Sequence, residues 1–157
     1  MNVNGYESKA AAIRALKSAG FNISGLLAAP ESNPKVAKNG KLDVLAAPLH
    51  LAPFDLSGFQ VCAQASAGCA AACLHTAGNP AYMAGKEKSR ITKTRAYFKE
   101  RAAFMAVLVF EIEALQRKAI AKGMQAAIRL NATSDLPWEV RKVTIDGESV
   151  NVMQYFH

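Results

Sequence analysis

Much that would commit this chain to a familiar chemistry is missing. No run of about eighteen uncharged apolar residues occurs, so no segment reads as a membrane-spanning helix. The first ten residues carry neither the basic start nor the apolar stretch of a secretory leader. We therefore expect a cytoplasmic protein with no membrane partner. P-loop, G-x-S-x-G, paired zinc-finger and helix-turn-helix patterns are all absent, as are internal repeats and low-complexity runs. Acidic residues are scarce, 12 against 19 Lys and Arg, which leaves a net charge of +7. Cysteine occurs three times. An odd count where thiols stay reduced argues against a disulfide framework and for ligation, catalysis or simple burial.

Those three cysteines fall within a dozen residues, at Cys62, Cys69 and Cys73, with His75 two positions later. They lie among Ala, Ser and Gly, small residues that let a backbone fold closely about a guest. Cys69 and Cys73 are four apart and would share one helix face, and a turn at Ala67-Gly68 would return Cys62 to it. A three-thiolate site suits a metal or an iron–sulfur cluster. His75 as fourth ligand would complete a zinc site, whereas an open iron on a [4Fe–4S] cluster could take a cofactor such as S-adenosylmethionine. The competing reading is of small buried hydrophobes.

Positive charge is concentrated in residues 86–101, where Lys86, Lys88, Arg90, Lys93, Arg95, Lys99 and Arg101 face only Glu87 and Glu100. With Tyr82, Tyr97 and Phe98 interleaved, this segment is a candidate surface for nucleic acid or another polyanion. A solvated helix face would look the same.

With 157 residues, 51% of them hydrophobic, one α/β domain over 1–157 is expected, residues 1–40 forming an N-terminal helix and an irregular arm. The pattern predicts a helix over 7–19 ended by Gly20, then a Pro- and Gly-rich arm with an extended piece at 23–28. An extended apolar stretch over 42–51 is broken by Pro48. A long helix over 86–122, interrupted near 99–101, carries an apolar face of Phe104, Leu108, Ile112, Leu115 and Ala119 and ends at Gly123. A strand over 126–130 leads to a polar turn in which Ser134 or Asp135 would cap a short helix over 138–143. The tail is either a hairpin about Asp146-Gly147 or a single strand over 151–156. The order is βαβαβ, an open sheet of about three strands or a small partial (βα) barrel, with the cysteines beyond the end of the first strand. Arg129 and Asn131 would share one side of the later strand, with Asp135 in the loop at its end. A last strand over 151–156 would leave an open edge through which copies of the chain could pair.

The proline-rich arm, the loop VCAQASAGCAAAC, the basic helix with KTRAYF and the strand-and-turn RLNATSD together resemble phage and prophage proteins of the gene-product-88-like type, from about Leu26 onward. The resemblance implies a bacterial-host cytoplasm and a distant kinship to radical-SAM partial barrels. It also implies Cys62, Cys69 and Cys73 as cluster ligands, with Arg129, Asn131, Ser134 and Asp135 facing the same cavity. The cysteine gaps are longer than the C-x3-C-x2-C of radical-SAM enzymes, and Ala72 stands where those carry an aromatic residue. By the same resemblance this is a minimal or truncated member.

Overall fold

The glycine helix stops at Gly20 and Gly123 act as the sequence predicts, and the first helix also has a side-chain cap. In the computed structural model, which describes residues 1–30, 42–73 and 84–155, Ser8 caps the first helix, α1 (Lys9–Ser18), by accepting a hydrogen bond from Ala11 N. Gly20, at φ +88°, ends it: Gly20 N donates to Lys17 O and Phe21 N to Leu16 O. The same pair of bonds recurs about Gly123, from Gly123 N to Ile120 O and from Met124 N to Ala119 O.

The basic and apolar helical segments are two helices, α3 (Ala84–Lys99) and α4 (Arg101–Ala121), the short α2 lying in the cysteine loop (Ala67–Ala71). The chain bends at Glu100, whose φ of −129° and ψ of 50° leave the helical region. At the bend, Tyr97 meets Phe104 edge-on at 5.4 Å and Arg101 lies over the Tyr97 ring at 4.8 Å. Helix α4 is the centre of the molecule. Its apolar stripe is wider than one face: every residue from Ala103 to Val109 is buried, and only the second half narrows to Ile112, Leu115 and Ala119. The first half packs on α1, α3 and the C-terminal hairpin, while Leu115 and Ala119 cover the sheet at Leu45 and Ala47.

Strand β1 (Val44–Pro48) pairs in parallel with β2 (Gln125–Arg129), Val44 opposite Gln125 and Pro48 opposite Arg129. This is one βαβ unit, and the α/β class holds. On the other side of β1 the expected extended piece of the arm is present, Ala28 N donating to Pro48 O and Leu27 bridging Leu49 antiparallel. Glu111 holds that piece to α4 by accepting from Leu26 N and Leu27 N at 2.9 and 2.8 Å, and it pairs with Lys9 at 2.6 Å.

Among the described residues there is no third parallel strand. The tail is a separate antiparallel hairpin of β3 (Lys142–Ile145) and β4 (Glu148–Asn151), turned through Asp146 and Gly147 at φ +49° and +93°. Asn2 to Asn4 lie along β3, with Asn4 N donating to Thr144 O. The expected strand over 151–156 becomes helix α5 (Val152–Tyr155), because the Asn151 side chain accepts from Met153 N and Gln154 N as an N-cap. The open edge proposed there for pairing of copies is thereby removed, residues 156–157 lying outside the described part. The helix expected over 138–143 is a single 3-10 turn, Trp138–Val140, capped by no side chain. β-Branched Val143, Thr144 and Ile145 carry the chain into β3 instead. Among the described residues no helix is long and apolar enough to cross a membrane.

Candidate cysteine-lined site

The loop that follows β1 is tied down before it reaches the cysteines. Leu49 N donates to Arg129 O, and Ala52 N to Thr94 Oγ1 at 2.8 Å. Residues 54–61 close on themselves through Val61 N to Phe54 O. Phe59 stacks on Phe98 at 4.6 Å, and Arg95 Nε donates to Ser57 O. Val61 is then fixed from the far side, because Asp135 N donates to its carbonyl at 2.9 Å. Cys62 therefore leaves the scaffold beside the loop that follows β2.

From there the chain turns through Ala65 N to Cys62 O, and Ser66 caps α2 by accepting from Cys69 N. The turn lies at 62–65; Ala67-Gly68 begins the helix instead. Cys69 is in α2 and Cys73 just past its end. All three cysteines line one cavity of about 580 Å³, and no disulfide joins them. The cavity opens beyond the carboxyl ends of β1 and β2, where open α/β sheets gather ligands.

Its opposite wall is the 129–135 segment, so Arg129, Asn131, Ser134 and Asp135 face the three thiols. Their roles differ from the expectation in one respect. Neither Ser134 nor Asp135 caps a helix; Asn131 organises the turn. Asn131 Oδ1 accepts from Leu136 N (3.1 Å), Ser134 Oγ (3.1 Å) and Trp138 Nε1 (2.9 Å), and its Nδ2 donates to Leu136 O. Its amide is committed to building the wall. Among the described residues Arg129 is held by one long bond from Nε to Asn131 O, 3.4 Å, and Asp135 is exposed at the rim.

The residues do not form a ready single-ion site. Among the described residues no group of three His, Cys, Asp or Glu side chains is gathered as one metal ion requires. His75 lies outside the described residues.

The basic segment divides in two. Lys86 and Lys88 are exposed at the start of α3. Lys93 turns inward to donate to Leu26 O at 2.8 Å, and burial lowers its pKa from the usual lysine value. Arg95 serves the loop at Ser57, and Arg101 lies on Tyr97. Half of the expected polyanion surface is thus structural. Arg90 is half-buried, and its charge acts on His50. That histidine carried no motif. Its Nδ1 is buried with no partner among the described residues, and its pKa falls to about 4, first through burial and then through Arg90, Lys93, Arg129 and Lys86.

The gene product 88 family model matches residues 25–157, all of the chain from the extended arm onward. The chain belongs to the gene product 88 family, a phage-type family. The match takes in the cysteine loop, both cavity walls and the His50 region, and omits α1. No curated protein and no solved structure matches this gene product 88 chain.

Proposed function

We propose that this gene product 88 protein binds an iron–sulfur cluster through Cys62, Cys69 and Cys73. The observation that carries the reading is that three cysteines, from a turn and from a short helix, open onto one cavity across from a polar wall. A cluster suits that arrangement better than zinc. Thiolates on one zinc ion, with tetrahedral bonds of about 2.3 Å, stand only about 3.8 Å apart, and no such three-donor group is present among the described residues. On a [4Fe–4S] cluster each thiolate binds a different iron, so the sulfurs are spread more widely.

When bound, a cluster with three cysteine ligands would supply electron transfer and one iron open to a further ligand, S-adenosylmethionine being the one that radical-SAM kinship would bring. The chain's own contribution is positional. Asn131 keeps the wall rigid, Arg129 offers guanidinium N–H donors to an anionic group in the cavity, and the Asp135 carboxylate stands at the rim as an acceptor. The reducing cytoplasm of a bacterial host would preserve such thiols.

The test is anaerobic reconstitution with iron and sulfide, followed by iron and zinc analysis and a visible spectrum. A brown protein that loses iron and colour on Cys69→Ser is expected. A colourless, iron-free protein would remove the proposal, and stoichiometric zinc would replace it. Addition of S-adenosylmethionine to reconstituted, reduced protein should perturb the cluster's paramagnetic resonance spectrum; an unchanged spectrum removes that cofactor and leaves the cluster.

A further inference from the structure

His50 occupies a place that two hydrogen bonds fix. One residue before it, Leu49 N reaches Arg129 O, and two residues after it, Ala52 N reaches Thr94 Oγ1. The 49–52 loop is therefore clamped between the end of β2 and the middle of α3. Thr94 Oγ1 also donates to Arg90 O, so Arg90 stands one turn from the clamp and Lys86 two turns, on the same side of the helix. Arg129 approaches as the last residue of β2. The clamp thus brings the loop that carries His50 beside the helix turns of Arg90 and Lys86 and the end of β2 at Arg129, and the charges of all three act on the imidazole.

The charges that act on His50 are all positive. Lys86, Arg90 and Arg129 form no ion pair among the described residues, unlike Lys9 with Glu111 and Arg117 with Glu113. Lys93 differs, being tied to Leu26 O and balanced in part by Glu111. Arg90 is half-buried and Lys86 and Arg129 are exposed, so a ligand anion can reach all three cations. His50 adds a buried ring nitrogen with no hydrogen-bond partner among the described residues.

We propose that His50, Lys86, Arg90 and Arg129 form a seat for the phosphate group of a small phosphorylated ligand. Two guanidinium groups and an ammonium group match a dianion, and each arginine can hold phosphate oxygens in a bidentate fashion. Convergence distinguishes this seat from a polynucleotide track, which needs cations laid out along an exposed surface. Lys88, the exposed lysine two positions from Lys86, lies off this face of α3. Because Arg129 also lines the cysteine cavity, a ligand anchored here would extend toward the thiols. The seat itself does not depend on whether they hold a cluster.

The experiment uses the full chain and inorganic phosphate. The imidazole C–H signals of His50, assigned with His50→Gln, are followed by NMR during titration with phosphate and, separately, with chloride at matched ionic strength. A saturable shift in phosphate alone is expected. Arg90→Gln and Lys86→Gln, at half-buried and exposed helix positions, should each weaken binding about tenfold, whereas Lys17→Gln on α1 should not. Equal responses to phosphate and chloride, or unaltered affinity in Arg90→Gln, would overturn the seat. So would binding of a single-stranded oligonucleotide that depends on Lys88 as strongly as on Arg90, in protein that ignores phosphate.

Discussion

Replacing Asn131 by Ala tests whether this residue builds the cavity wall or serves only as a contact for ligands. The side chain takes part in four hydrogen bonds, three accepted by Oδ1 and one donated by Nδ2. Two of the donors, Leu136 N and Trp138 Nε1, belong to buried residues that would be left without an acceptor. Each lost bond costs about 0.5–1.5 kcal/mol, and Ser134, partly exposed, can turn to water, so the sum is about 2–4 kcal/mol. With a urea slope of about 2 kcal/mol per molar, the unfolding midpoint should fall by about 1–2 M. Asn131→Asp keeps an acceptor and loses only the bond to Leu136 O, so it should fall in between. The chain has one tryptophan, and its indole N–H is one of the partners, so fluorescence reports the same site directly. Emission of folded Asn131→Ala should move to longer wavelength as the indole meets water. Because Asp135 N holds Val61 O, and Cys62 follows, iron uptake should fall as well. A midpoint within about 0.3 M of the unaltered protein, with the slope unchanged, would refute the architectural role.

Three further outcomes follow from the geometry. Glu111→Ala removes the acceptor of Leu26 N and Leu27 N together with the Lys9 pair, and should destabilise by about 3–5 kcal/mol in urea melts, with Glu111→Gln recovering part of that. His50, with its pKa lowered to about 4 in the folded chain by burial and by Arg90, Lys93, Arg129 and Lys86, takes up a proton more readily when unfolded. Its contribution to stability is therefore complete above about pH 6.5 and lost as pH falls toward 4; His50→Gln should flatten that part of the stability–pH curve relative to the unaltered protein, and parallel curves would exclude the assignment. Gly147→Ala places a Cβ at φ +93° and should cost about 1 kcal/mol or more in the thermal transition.

The parts of the fold that could be read from the chain are those decided by neighbours in sequence. Ser8, Gly20 and Gly123 set helix ends through bonds that span five residues or fewer, and Asp146-Gly147 sets its hairpin turn in the same way. The α4 stripe was legible in position and not in width, since the all-round burial of Ala103 to Val109 depends on which elements arrive from elsewhere. The tail went the other way for a local reason of its own. Asn151 ends one strand and caps a helix, and the apolar spacing of Val152 and Tyr155 fits a helical turn as well as a strand. The third strand of a parallel sheet was the inference furthest from any local signal, and it is the one the structure replaces.

The site shows the same division more sharply. Cysteine spacing and the RLNATSD turn are compact signals, and the structure sets both on one cavity, although the bond that brings them together, Asp135 N to Val61 O, joins residues far apart in sequence. The basic segment was equally visible, but its meaning was not, because periodicity along a helix says which cations share a face and not what that face meets. Lys93 and Arg95 answer to carbonyls at Leu26 and Ser57; Arg90 and Lys86 answer to an imidazole that no motif marked. Charge density on α3 therefore has two origins, tethering and recognition, and only the cations left without an acceptor are available for the second. By that criterion a search for this protein's ligand belongs beside His50 and Arg90, next to the Arg129 wall of the cysteine cavity, rather than along the rest of the helix.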